Sequence, residues 1–252
     1  MTYTLRVARA EATDDNLKTI LRLIGDAREW LADKGTNQWW KPWPDREKRD
    51  ARVWRGLEVG ATWIVWAEER AVATVTVAKS PNPDVWRDAA CIVDDPAIYA
   101  HRLIIDRQFG GAGLGAQLID WTGLRAHQEY GAKWIRIDVW TSNELLHEYY
   151  RNRGFEPCGM APDPRYPSGK LFQKPVSEIF EPVCPLFTRP EPAVSLFGRG
   201  TPSQMHVDPA RYRDRPAEED ESLALRSSQE ALGSLVLPKV VLAGGPTVPV
   251  GA

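Results

Sequence analysis

The sequence predicts a mixed α/β layer fold followed by a proline-rich extension, and three observations lead there. Apolar residues alternate with period two in some segments and recur every three or four in others, in the order β-α-α-β-β-β-α-β-α-β. A strand-like run over residues 97–106 leads through a glycine cluster into a helix-like run. Half of the chain's 20 prolines fall after Glu181, a density that prevents regular packing of helices or strands.

Each element has its own signal. TYTLRVARA alternates as a strand. The segment 12–35 is a helix capped by Thr13 or Asp14, with an apolar stripe through Leu17, Ile20, Leu21 and Ile24, and Gly35 stops it. Pro44-Asp45 opens a second helix that closes at Gly60. ATWIVWAEERAVATVTVAK is a hairpin around the polar turn Glu68–Arg70. AIYAHRLIID is a strand, LGAQLIDWTGLRAHQEYG a helix, KWIRIDVW a strand, NELLHEYYRNRG a short helix and SGKLFQKPV a last strand. Residues 1–178 form the folded domain and 179–252 an irregular extension, with one helix over 217–233. On that division, a chain cut at about residue 178 folds and keeps its ligand affinity.

Composition narrows the function. With 43% hydrophobic and 26% charged residues, the chain is soluble and globular with ample core material. A formal charge of −2 speaks against a nucleic-acid footprint. No apolar run approaches the ~20 residues of a membrane span, and the N-terminus lacks an export pattern, so a cytoplasmic protein is expected. Cys91, Cys158 and Cys184 are odd in number, far apart and without metal-ligand spacing, which predicts reduced thiols and no metal.

The glycine cluster RQFGGAGLGAQLIDW admits three readings. A P-loop needs Lys-Ser/Thr after its last glycine, where this chain has Ala116-Gln117. A dinucleotide turn needs further βα units and an acidic residue at the end of the next strand, but Asp138 lies inside its strand. The third is a strand feeding a bare loop and a helix start, whose N–H groups and dipole suit a pyrophosphate. Later, Asn143 precedes Tyr150 by two helical turns, and Gly154-Phe155 follow.

The two motifs at this separation, with the order of elements over residues 3–176, resemble the GNAT superfamily of acyl-CoA-dependent N-acyltransferases. The resemblance implies a mostly antiparallel sheet of six to seven strands flanked by about four helices. It implies acetyl-CoA as cosubstrate, an amine acceptor, direct attack in a ternary complex and a possible homodimer. Leu103, Ile104 and Ile105 would pair with the pantetheine arm; Gly110, Gly111, Ala112, Gly113, Leu114 and Gly115 would hold the pyrophosphate, with Asn143 and Tyr150 completing the site. The family pattern has Arg or Gln where this chain has Gly110, so the loop binds with amides and dipole alone or borrows charge from Arg107 or an upstream helix.

Tyr150 is the implied general acid, with Tyr149 as rival. His101 is the implied base, since imidazole titrates near working pH; a structural histidine or a water relay is the alternative. Strand alternation puts Tyr99, His101 and Leu103 on one face and Ile98, Ala100 and Arg102 on the other. Asp138 either orients His101, binds a cationic acceptor or is a solvent-face residue. On the acceptor side, Trp39, Trp40 and Trp43 form an aromatic wall or pack structurally, and Tyr99 is a further candidate. His127 and His147 have weaker cases, on helices with solvent-face neighbours. A non-catalytic acyl-CoA sensor using its tail to reach a partner is the competing class.

Overall fold

The computed structural model describes residues 5–41, 45–91, 95–111, 113–179 and 196 of the 252-residue chain. Within them one sheet runs in the order β1-β2-β3-β4-β5-β7-β6. Its strands are β1 (Leu5–Arg9), β2 (Thr62–Ala67), β3 (Arg70–Ala78), β4 (Ala97–Ile105), β5 (Trp134–Val139), β6 (Glu156–Met160) and β7 (Lys170–Pro175). The helices are α1 (Asp14–Asp33), α2 (Arg46–Glu58), α3 (Pro83–Trp86), α4 (Leu114–Tyr130) and α5 (Glu144–Arg151). Neighbouring strands are antiparallel except β4 and β5, which are parallel.

Local chemistry sets the helix starts. Thr13 Oγ1 accepts from the Asn16 N–H and opens α1, and Asp45 does the same for Lys48 at α2, each satisfying a donor the helix cannot use. On one face of the sheet, α4 and α5 bury Leu114, Leu118, Ile119 and Tyr150 against Val75, Val77, Ile98, Ala100, Ile135 and Ile137. The other face is covered by α1 and α2, whose Leu17, Ile20, Leu23, Val53 and Leu57 are buried. Beyond them, α3 seals Val85 and Trp86 over Tyr99, Cys158 and Leu171.

Two elements were not expected from the sequence. α3 is a single turn opened by Asn82 and Pro83, too short for a periodic pattern. In β6, Pro157 and Gly159 break the alternation, which an edge strand tolerates because one of its sides needs no ladder partner. The β2–β3 turn is Glu68-Glu69, one residue tighter than expected, with Ala67 opposite Arg70.

Two irregularities shape the centre of the sheet. The β4–β5 ladder runs only from Ala97–Trp134 to Ala100–Ile137; beyond it β4 stays with β3 and β5 with β7, so the parallel strands part. β4 also bulges: the register with β3 shifts between Thr74–Ile104 and Thr76–His101, and Arg102 adopts φ +49°. The bulge corrects the alternation predicted for this strand. Leu103 and Ile105 pack against the α4-side core with Ile98 and Ala100, not beside His101, because an extra residue reverses the side of everything after it.

The predicted tail helix, Trp43, Ala112, Cys184 and His206 lie outside the described residues, as does the extension apart from Ile179 and Leu196. No helix among the described residues is long and apolar enough to cross a membrane.

Candidate functional site

The glycine loop begins where β4 ends. The Asp106 carboxylate accepts from the Gln108 N–H at 3.0 Å and pairs with Arg70 at 2.7 Å, which fixes the turn Arg107–Phe109. Gly111 and Gly113 then take φ +81° and +77°, a region that residues with a Cβ avoid. Gly113 is the N-cap of α4 and offers no side chain, so no capping side chain satisfies the first-turn N–H groups of this 17-residue helix. Those donors, and the positive end of the helix dipole, suit an anion. Arg107 stacks 3.6 Å from the Trp30 ring centre, and its Nη1 lies 3.2 Å from where a Gly110 Cβ would stand. The Arg107 cation thus occupies the space a side chain at position 110 would enter.

Past the Ala100–Ile137 pair, the β4 edge that faced β5 has no strand partner among the described residues, from His101 to Ile105. At the mouth of this gap, Asp138 Oδ1 accepts from His101 Nδ1 at 2.8 Å. A carboxylate can only accept, so Nδ1 carries a hydrogen, and in the neutral ring Nε2 keeps its lone pair. The Tyr166 hydroxyl donates to Asp138 Oδ2 at 3.3 Å. Burial, then the Asp138 charge, pushes the Tyr166 phenol above its usual range.

On the α4 side, Tyr150 is buried edge-on against Phe155, ring centres 5.3 Å apart, and against Tyr149 at 5.2 Å. Burial, followed by the charges of Tyr149 and Asp138, raises its phenol well above the ordinary value. Tyr150 is therefore within electrostatic reach of Asp138 although the two lie on opposite faces of the sheet. Tyr149 points differently: its hydroxyl lies 3.6 Å from where a Gly115 Cβ would be, and Arg153 stacks on its ring at 3.9 Å.

Asn143 caps α5, accepting from the Leu146 N–H at 3.0 Å, while its amide donates to Gln38 Oε1 at 2.7 Å. Asn37 accepts from Trp140 Nε1 and Ser142 Oγ, so the α1–α2 connection is tied to the β5–α5 turn. Gln38 had no sequence signal; its role comes from this long-range pairing. Trp39 sits in that connection at φ +60°, and Trp40 is 60% exposed. Tyr99 is not brought to the gap: it is 3% exposed, edge-on to Trp86, and its hydroxyl accepts from Arg136. His147, expected near solvent, is buried, with Nε2 against the Trp140 carbonyl at 2.9 Å. Cys91 and Cys158, distant in sequence, are neighbours. Their thiols interact, which lowers the Cys91 thiol below its ordinary value and raises that of Cys158.

Comparison with known proteins fits this geometry. The model of the acetyltransferase (GNAT) family matches residues 24–155. An uncharacterised N-acetyltransferase of Bacillus subtilis, YesJ, is 29% identical over 151 residues, 59% of this chain and 81% of that protein. A GNAT-family acetyltransferase of Listeria monocytogenes superposes with a TM-score of 0.53 at 24% identity, covering 69% of this chain and 98% of that one. The PaiA N-acetyltransferase of Thermoplasma acidophilum, solved in complex with coenzyme A, gives 0.50 at 12% identity, with 69% and 99% covered. At such identities the structural likeness speaks for the fold alone.

Proposed function

The chain belongs to the GNAT acetyltransferase family, and on that premise we propose that it transfers an acetyl group from acetyl-CoA to a primary amine by direct attack in a ternary complex. One observation carries the reading: β4 and β5 part beyond Ala100–Ile137, with Tyr150 on one side of the gap and the His101–Asp138 pair on the other.

The residues present fit the cosubstrate. The uncapped N–H groups of Leu114, Gly115 and Ala116 and the open backbone at Gly111 and Gly113 would hold the diphosphate, with Arg107 supplying the cation that Gly110 lacks. The unpaired edge of β4 at Leu103, Ile104 and Ile105 suits the amides of a pantetheine arm. Asn143 shapes the same wall through its cap and its bond to Gln38. Bound there, acetyl-CoA supplies an activated thioester carbonyl.

His101 Nε2 takes a proton from the incoming ammonium, and Asp138 steadies the imidazolium that results. As the nitrogen bonds to the carbonyl carbon and the C–S bond breaks, Tyr150, kept protonated by burial, gives its proton to the departing sulfur, and the second proton shed by the acceptor nitrogen returns to the phenolate. The test is direct. The full chain is incubated with acetyl-CoA and a panel of primary amines while free thiol is followed. Thiol release that depends on the amine supports the reading; coenzyme binding without turnover on any amine overturns it.

A further inference from the structure

The transfer chemistry does not use the Arg102 side chain, which the bulge in β4 carries. Arg102 holds φ +49°, a conformation that costs a residue with a Cβ roughly 1–2 kcal/mol and persists only where the surroundings impose it. The bulge directs Arg102 to the α2 side of the sheet, next to His101. There its Nε donates to Thr76 Oγ1 at 3.3 Å. Helix α2 passes close above: a Cβ on Gly56 would stand 3.3 Å from Arg102 Nη2 and 2.8 Å from Thr62 Oγ1, so a side chain at that position would crowd the guanidinium.

The guanidinium is half-buried, and its terminal nitrogens make no hydrogen bond or ion pair among the described residues. Asp138 is the carboxylate whose charge bears on it, yet both Asp138 oxygens are already engaged, by His101 and Tyr166. Arg52 adds a second positive charge to the same region. A planar cation held in place with its donor fork unused matches a carboxylate, which accepts two parallel N–H bonds. Beside it, His101 and Asp138 form the site for an ammonium. The two subsites carry opposite charge and are adjacent in sequence.

We propose that the acceptor is an amine that also carries a carboxylate, an amino-acid-like zwitterion, and that Arg102 binds the carboxylate while His101 and Asp138 receive the amine. The proposal rests on the acetyl-transfer reading and adds the acceptor's class.

The test pairs amino acids with the matching amino acid amides as acceptors for the full chain and acetyl-CoA. The free acids should show kcat/KM roughly 10- to 100-fold above the amides. Arg102→Met should erase that preference, leaving kcat/KM on amides and KM for acetyl-CoA unchanged, and Arg102→Lys should restore part of it. Equal turnover of acids and amides by the wild-type chain overturns the proposal, as does an equal loss on both in the Met variant, which would mark Arg102 as structural. Absence of turnover on every acceptor is a failure of the acetyl-transfer reading instead. Calorimetry on coenzyme-saturated protein then decides the carboxylate site. N-acetyl amino acids binding better than their amides, with the difference lost in Arg102→Met, supports it; equal or absent binding overturns it.

Discussion

His101 Nδ1 stands 2.8 Å from Asp138 Oδ1, a bond between adjacent strands made where their ladder has just ended. The side chains bridge a gap the backbones leave open, and the basic Nε2 is free to face an acceptor. His101→Ala should lower kcat/KM by about 10²–10³, leaving coenzyme affinity intact. Asp138→Asn should cost less, since the imidazole stays but loses the charge that stabilises its protonated form. An unchanged kcat/KM in His101→Ala would move the base elsewhere, to a water relay.

The two adjacent tyrosines make separable predictions. Tyr150→Phe removes the buried hydroxyl on which the Asp138 charge bears, and should lower kcat by 10² or more with little change in KM for acetyl-CoA. Tyr149→Phe removes a hydroxyl next to the first turn of α4 and should act on coenzyme affinity instead. The opposite pattern, measured by steady-state kinetics on both variants, would exchange their roles.

The contrast between these residues and their neighbours shows what the chain reveals locally. Thr13, Asp45 and Asn143 act within three residues of themselves, so their capping roles are legible, and the glycine loop sits where the strand-to-helix transition put it. The parity of Leu103 was not legible, because a bulge is a mismatch between two strands and β4 has no glycine to mark it. The partners of Asn143, Asp138 and Cys91 are Gln38, Tyr166 and Cys158, each far away in sequence, and only tertiary packing joins them. The proposed cosubstrate half rests on such local signals, and the proposed acceptor half rests on long-range pairings.

Gly113 tests the loop. At φ +77° an added Cβ is strained by about 1 kcal/mol, although only the Gln117 side chain lies nearby, at 3.8 Å. Gly113→Ala should therefore lower the melting temperature by a few degrees and weaken coenzyme A binding severalfold as the loop backbone shifts. Calorimetric titration with coenzyme A checks it. Unchanged affinity would mean the N–H groups of this turn do not hold the diphosphate.

Burial raises the phenols of Tyr130, Tyr150 and Tyr166 above the ordinary value. For such groups the unfolded chain releases protons that the native state retains, so stability is fully present below about pH 10 and falls as pH rises beyond it. Tyr150 alone steepens the loss by up to about 1.4 kcal/mol per pH unit. Alkaline titration followed by ultraviolet absorbance should show part of the chain's seven tyrosines ionising only as the fold melts. A smooth titration of all of them before unfolding would contradict their burial.

Leu196 bears on where the folded unit ends. It is fully buried in the α4-side core; its carbonyl accepts from Trp63 Nε1 at 3.3 Å, and its N–H donates to the Glu129 carboxylate at 2.6 and 2.8 Å. A boundary at 178, drawn from proline content, would remove this residue and leave the Trp63 donor without its partner. The cost is about 1.5–3 kcal/mol for the side chain, plus that of the stranded polar group. A chain ended at 178 should thus melt well below the full-length protein, while one ended at 207 should melt close to it. Leu196→Ala in the full chain should lose about 2–4 kcal/mol in denaturant titration. Equal stability of the two truncations would show that the seat of Leu196 contributes nothing, and would return the boundary to 178.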